Sequence, residues 1–515
     1  MDRRRFLFQA SAAAVATASC SLSKAQSLPT VSAELTLRAE PGAPQVPLTY
    51  AGLSYELAQL TDPQFFSVAN RDLVEYFRLL SPQGVLRVGG DTSEFCWFKA
   101  NASTPEPKLH LPAGNLEANW MPHRLFAISP EAIDALAGFL QATGWRLIYG
   151  LNFGNSTPER AAAEAEYVAQ AVGGRLEFFQ IGNEPDFYHD ANNGTRPPDW
   201  GFAEYMKEWV GFAEAIGAKV PGVRLGGPDV GASSAWVTRF AAALPAEFDA
   251  RVVALTGHYY AEGPPDDPRV TIERLLGGNP DVPAQTRRIE AAARARGRAY
   301  RMTEGNSCYR GGKPGMSNAF AAALWAGDYM LQLAGLGCAG VNLHGGSSAF
   351  LTAGLGDHTP GMEASKGPQT VRSGFYTPIS SEPGSAVKAT PVFYGMLLAS
   401  QFAGGTFLRV DGSMEGVNTT AYAAQHKTGF KVAVFNKGEL KPIDLSIRAP
   451  RGVESATAWR MQAPALDSTE RVTLAGAEIQ AHAKWRPKVV EHVAVRNGIP
   501  RLRIPAGSAV LLFLK

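Results

Sequence analysis

Between about residue 47 and residue 400, short β-branched or aromatic runs alternate with longer alanine-rich stretches of helical period. That alternation predicts strands joined by crossover helices, as in a parallel sheet or barrel. Eight runs occupy residues 50–55, 84–89, 146–152, 176–182, 223–227, 252–259, 301–304 and 340–344. Helical stretches fall between them, among others at 130–143, 158–172, 202–217, 285–297 and 318–336. Eight such units predict an α/β chain folded as a (β/α)8 TIM barrel.

After a closing helix at residues 390–402 the texture changes. Alternating runs at 430–435, 443–447 and 509–513 predict an accessory antiparallel β-sandwich. Residues 35–48 also alternate, so the N-terminal side is expected to add strands to that sandwich. The expected organisation is a leader at 1–27, N-terminal sandwich strands at 28–46, the barrel at 47–403 and the C-terminal sandwich at 404–515.

The leader carries Arg3-Arg4-Arg5-Phe6-Leu7, a twin-arginine-type pattern, and ends near Ser23-Lys24-Ala25, which suits signal cleavage. Export to the periplasm or beyond is the expectation. Ala18-Ser19-Cys20 makes only a partial lipid-attachment box, and the apolar stretch is too short and polar to span a membrane. The 515 residues hold 49 basic and 47 acidic side chains, so no global field recruits nucleic acid. With 45% hydrophobic and 19% charged residues the chain reads as compact and globular. The four cysteines at 20, 96, 308 and 338 form no C-x-x-C pair, so the mature ones are expected as buried thiols.

Two runs end in chemistry. Phe178-Phe179-Gln180-Ile181-Gly182-Asn183-Glu184-Pro185 delivers an amide and a carboxylate at the C-terminal end of a strand, the active-site face of a barrel. Tyr300-Arg301-Met302-Thr303 delivers Glu304 in the same way. Two facing glutamates are what glycosidic cleavage needs: a protonated carboxyl for the leaving oxygen, and a carboxylate to attack carbon or activate water. Asn183 is placed to hold a sugar hydroxyl beside the acid.

These segments resemble glycoside hydrolase family 79, the β-glucuronidase and heparanase family of the retaining barrel superfamily. The resemblance runs through Gly52-Leu53-Ser54-Tyr55-Glu56, Leu86-Arg87-Val88-Gly89-Gly90-Asp91, Gly150-Leu151-Asn152, Gly182-Asn183-Glu184-Pro185, Gly227-Pro228-Asp229-Val230-Gly231, His258-Tyr259-Tyr260 and Glu304-Gly305-Asn306-Ser307-Cys308-Tyr309. It implies Glu184 as acid/base and Glu304 as nucleophile of a double displacement, with Tyr259 holding the nucleophile by a hydrogen bond. It implies that Glu56 and Asp91 contact ring hydroxyls. It also places Tyr309, Arg310 and Gly311 where the family grips the sugar carboxylate, and glycine lets backbone approach an anion closely.

The chain departs from heparanase-type members where they carry basic residues for sulfate: Asp186, Asp190 and Ala232-Ser233-Ser234 stand there instead. Past the eighth run, where the family has a tyrosine, stand Ala349 and Phe350. The expectation is therefore an exo-acting β-glucuronidase on glucuronic-acid-containing carbohydrate, without metal or cofactor. A heparanase-like endo enzyme and a non-catalytic carbohydrate-binding barrel are the alternatives. Loops 99–122 and 188–199 could close one end of the cleft or line an open groove. Gly335-Leu336-Gly337-Cys338-Ala339-Gly340 fits G-x-G-x-x-G but follows a helix, so it reads as a helix stop and not a dinucleotide site.

Overall fold

The computed structural model describes residues 30–111, 121–190, 194–356, 374–412, 414 and 416–515. The leader with Cys20, and parts of both cleft loops, lie outside the described residues. Eight parallel strands close a barrel: Ala51–Glu56, Val85–Gly89, Arg146–Leu151, Leu176–Ile181, Leu225–Val230, Val252–Glu262, Ala299–Cys308 and Val341–Gly345. The eighth pairs with the first, Val341 opposite Ala51. The sixth and seventh run past the barrel mouth to the pair Cys308–Glu262. The runs read from the sequence end at 259 and 304, and pairing carries both strands further and satisfies their backbone groups.

Local signals set the helix starts. Ser129 and Thr157 accept hydrogen bonds from Ala132 N and Arg160 N, each followed by proline in the first turn. Gly144 ends the former helix at φ 81°. Helix Phe320–Gly335 stops where the glycine motif begins, with Gly337 at φ 97°. That helix and Pro391–Ser400 are apolar nearly all round because they lie between the barrel and the β domain. Glycines let them touch: a Cβ on Gly395 would fall 2.0 Å from the carbonyl oxygen of Ala323, and one on Gly327 would meet the Phe435 ring at 2.7 Å.

Nine strands of the β domain hydrogen-bond in a ring, with Thr473–Leu474 flanking it. The N-terminal strand is Val31–Arg38, paired antiparallel with Thr406–Asp411 and parallel with Ile443–Arg448. Within the alternating stretch 35–48, Gly42, Pro44 and Pro47 break the ladder, leaving the single bridge Gln45–Thr406. Leu35, Val432, Leu445 and Val510 fill the domain's own core. Ala433, Phe435, Met461 and Leu511 join the barrel core instead. Cys96, Cys308 and Cys338 are buried free thiols. No helix among the described residues is long and apolar enough to cross a membrane.

Candidate active site

The C-terminal ends of the barrel strands bring Glu184 and Glu304 together. One oxygen of each, with a ring nitrogen of His258, lies within 4.8 Å of the others. The cleft is about 580 Å³, and Glu56, Asp91, Glu184, Glu304, Tyr309 and Tyr376 are among the residues that line it. Glu184 adopts φ 50° just after the fourth strand, and Asp229 adopts φ 61° near the end of the fifth. Both are strained for residues with a Cβ. A hydrogen bond from Glu184 N to Asp229 O, 2.9 Å long, ties the two strained positions.

Arg87, on the second strand and 1% exposed, organises the floor. Its guanidinium donates to Ser54 Oγ at 3.1 Å, Gln180 Oε1 at 3.2 Å, Asn183 Oδ1 at 2.7 Å and Asp229 Oδ2 at 2.7 Å, and also to Glu304 Oε2. Asn183 is thereby oriented: its oxygen faces Arg87 while its Nδ2 donates to Asp91 at 3.0 Å. Its backbone N–H donates to Glu94 Oε1 at 2.7 Å, and Glu94 Oε2 accepts from Phe153 N and Gly154 N. Glu94 thus fastens the strand end that carries the glutamate. Asp186 does the same from the other side, accepting from Gly231 N, Ala232 N and Ser233 N at 2.8, 3.0 and 2.8 Å.

The two glutamates have different electrostatics. Burial pushes Glu184 up, His258 opposes that, and the anions of Glu304 and Asp186 add to it; the result is a raised pKa. Burial acts on Glu304 too, but His344, His258 and Arg87 outweigh it and hold its carboxyl at about 2. His258 joins them, with Nδ1 2.8 Å from Glu184 Oε1 and Nε2 3.2 Å from Asp229 Oδ1. Burial disfavours its charged form, yet Asp229 and Glu304 raise its pKa well above the usual range. Asp229 is held low against its own burial by His258 and Arg87. One carboxyl is set to keep a proton and the other to stay ionised. Glu184, His258 and Glu304 could also hold a divalent cation, although Arg87 and a protonated His258 place positive charge where it would sit.

Of the expected binding residues, Glu56 and Asp91 face the cleft. Glu56 Oε2 accepts from Thr92 N at 2.9 Å and Thr92 Oγ1 at 2.6 Å, and its Oε1 lies 3.3 Å from His344 Nε2. Burial, then the neighbouring Glu184, Glu56 and Glu304, raise Asp91. Tyr309, Arg310 and Gly311 follow the seventh strand; Arg310 and Gly311 have φ of 58° and 82°. Tyr309 is 37% exposed at the rim and packs over Gly263, where a Cβ would meet its ring at 2.3 Å.

Tyr259 is the correction. It turns away from Glu304 and stacks on Tyr329 of the outer helix, ring centroids 5.1 Å apart. Tyr260 donates to Glu304 Oε1 at 2.9 Å. Side chains alternate along a strand, so with His258 pointing inward residue 260 shares its face and residue 259 does not. A second aromatic also escaped the sequence. Tyr376 is buried 6.1 Å from the Tyr260 ring and 6.0 Å from His344, beyond Ala349 and Phe350. Its surroundings carry no strand or motif signal. Arg87 had one: a lone cation inside the apolar run Leu86-Arg87-Val88.

No profile of a known protein family matches the chain. It is similar to a beta-glucuronidase of Neurospora crassa, 28% identical over 363 residues, 62% of this chain. The alignment spans 62% of the Neurospora protein, less than two thirds of its length. A beta-glucuronidase of Aspergillus niger is 24% identical over 518 residues, 88% of this chain and 87% of that one. Among solved structures, a 4-O-alpha-L-rhamnosyl-beta-D-glucuronidase from Fusarium oxysporum superimposes with a TM-score of 0.70 at 18% identity, covering 93% of this chain and 100% of that one. A GH51 arabinofuranosidase from Xanthomonas axonopodis pv. citri gives 0.60 at 17% identity, covering 94% and 100%. The architecture of barrel plus β domain is that of glycoside hydrolase structures, and the similarities support a glycoside hydrolase.

Proposed function

We propose that the chain is an exported, retaining, exo-acting β-glucuronidase of the family 79 type. The observation that carries this reading is the carboxylate pair: oxygens within 4.8 Å, one group raised and the other held at about 2. Retaining glycosidases keep their carboxyls about 5–5.5 Å apart, and inverting ones leave room for a water between them.

In the first half-reaction Glu184 gives its proton to the glycosidic oxygen while Glu304 attacks the anomeric carbon from the opposite face. The bond to the aglycone breaks, the aglycone leaves as an alcohol, and a glycosyl ester forms on Glu304. In the second half-reaction Glu184, now ionised, takes a proton from water. The resulting attack at the anomeric carbon releases glucuronate and restores both groups. His258 accompanies Glu184 through both states: its Nδ1–H engages Oε1 and leaves the other oxygen to carry the moving proton. Arg87 and Tyr260 hold Glu304 in line for attack.

The sugar carboxylate is assigned to the rim made by Tyr309, Arg310, Gly311 and Tyr376, whose backbone turns and hydroxyls can approach an anion. Glu56, Asp91 and Asn183 are assigned to the ring hydroxyls. Similarity to two beta-glucuronidases supports the uronate, and the absence of cations at Asp186 and Ala232-Ser233-Ser234 argues against a sulfated chain.

The test is turnover of an aryl β-D-glucuronide against the matching β-glucoside, with the first-formed anomer read by NMR. The β anomer of glucuronate is expected. An α product would overturn retention, and preference for the glucoside would overturn the uronate assignment. On a polysaccharide, free glucuronate is expected; oligosaccharides without it would reverse exo for endo. Glu304→Gln should abolish turnover yet still bind glucuronate, and retained activity would remove Glu304 as the nucleophile.

A further inference from the structure

Charge is divided unevenly along the chain. Residues 47–403 carry 28 basic and 35 acidic side chains, whereas residues 404–515 carry 16 basic and 9 acidic ones. Residues 30–46, whose strand belongs to the same β domain, add 1 basic and 2 acidic side chains, so the near-neutral total conceals an acidic barrel and a β domain with 17 basic against 11 acidic groups.

Part of the excess lies on one sheet face. Strands Val31–Arg38, Ile443–Arg448, Glu491–Arg496 and Ile499–Ile504 send alternate apolar residues into the domain's own core, such as Leu35, Leu445, Val493 and Leu502. The barrel packs on other strands of the ring. The remaining positions of these four strands therefore face solvent, on the side turned from the barrel, and they are rich in arginine. Arg501 sits opposite Ala494, and Arg496 opposite Ile499, so Arg496 and Arg501 are diagonal neighbours on adjacent strands. Arg503 follows two positions along, on the same face. Arg451 lies beside the hairpin turn, where Val453 N bonds Gly498 O at 3.4 Å.

Some of these cations are answered locally. Arg448 pairs with Glu34 at 2.6 Å, and Arg503 stands 3.7 Å from Asp444. Arg451, Arg496 and Arg501 are exposed and none forms an ion pair within 4 Å among the described residues, although Arg501 is near enough to Glu34 to help hold that carboxyl below its ordinary range. A guanidinium is a planar fork matched to carboxylate geometry and more weakly hydrated than an ammonium. A sheet face with forks at strand spacing suits an extended chain bearing carboxylates at intervals. Among the described residues these strands expose none of the Phe, Tyr or Trp rings on which single-stranded nucleic acid stacks.

We propose that this arginine face binds the acidic polysaccharide whose terminal uronate the barrel removes. The partner's chemistry rests on the glucuronidase reading. The face supplies attraction that the acidic barrel lacks and raises the concentration of chain ends near the cleft.

The experiment uses the full chain carrying Arg451→Gln, Arg496→Gln and Arg501→Gln together, at exposed positions that the core does not need. Binding is measured with the Glu304→Gln background on an immobilised glucuronate-bearing polysaccharide, at low and raised salt. A neutral polysaccharide, duplex DNA and anionic lipid vesicles serve as comparisons. The triple variant should bind the acidic polysaccharide about tenfold more weakly at low salt. Its KM on that polysaccharide should rise by a similar factor in the active background, with kcat/KM on an aryl glucuronide unchanged. Equal affinity of variant and parent for the polysaccharide would overturn the proposal, as would tighter binding of DNA or vesicles. A parent enzyme that binds the polysaccharide but leaves aryl glucuronide intact would defeat the glucuronidase reading while sparing the face.

Discussion

The hydroxyl of Tyr260 donates to Oε1 of Glu304 at 2.9 Å, across the parallel ladder of the sixth and seventh barrel strands. A proton donor at that oxygen favours the carboxylate and fixes its orientation, two conditions for attack on carbon. Tyr260→Phe should therefore lower kcat by about tenfold or more. Tyr259→Phe, which changes a ring stacked on Tyr329, should stay within about twofold of the parent. Steady-state kinetics of the pair checks this, and a larger loss at residue 259 would reverse the assignment.

His258 and Asp229 set the pH range. Glu184 must be protonated for the first half-reaction, so kcat/KM falls as pH rises through its elevated pKa. His258 lowers that pKa by its hydrogen bond and charge. Replacing it with glutamine should move the alkaline limb upward. Asp229→Asn should move it in the same direction, because without its anion the imidazole loses the main support for its charged form. Full pH–rate profiles decide, and a downward shift of the limb in either variant would refute this role of His258 and Asp229.

Gly231 faces the acid/base group closely. A Cβ there would fall 2.7 Å from Glu184 Cδ and 2.4 Å from the Phe187 ring. Gly231→Ala should displace the carboxyl and cut kcat by about a hundredfold, while the fold, read by circular dichroism, persists. Unchanged kcat would mean that the loop yields without moving Glu184.

Glu164 links stability to pH, away from the cleft. It is buried against Tyr149, whose hydroxyl donates to Oε1 at 2.7 Å, and burial raises its carboxyl to about 7. Raised above its unfolded value, this group binds more protons in the folded state between about pH 4.5 and 7, so its stability contribution is lost as pH rises through that window. The shift corresponds to about 3 kcal/mol. Glu164→Gln should raise the melting temperature at pH 8 by a few degrees and change little at pH 4. An equal effect at both pH values would place the cause elsewhere.

What the sequence determined was local. Short β-branched or aromatic runs marked the barrel strands, residues next to Ser129 and Thr157 set helix starts, and Glu184 and Glu304 were legible because each stands at the tip of such a run. These signals lie within a few residues of what they specify. Convergence was decided by tertiary structure alone. Arg87 meets Glu304 from 217 positions away, and it gathers Ser54, Gln180, Asn183 and Asp229 because closure of the barrel aims five strands at one floor. The choice between Tyr259 and Tyr260 depends on which face of a strand turns inward, a question of register with neighbours and not of composition. Tyr376 enters the cleft from a segment without a local pattern, and the arginine face exists only because strands from both ends of the chain lie side by side. Proximity of residues far apart in sequence is created by packing and strand pairing, and no window of neighbouring residues encodes it.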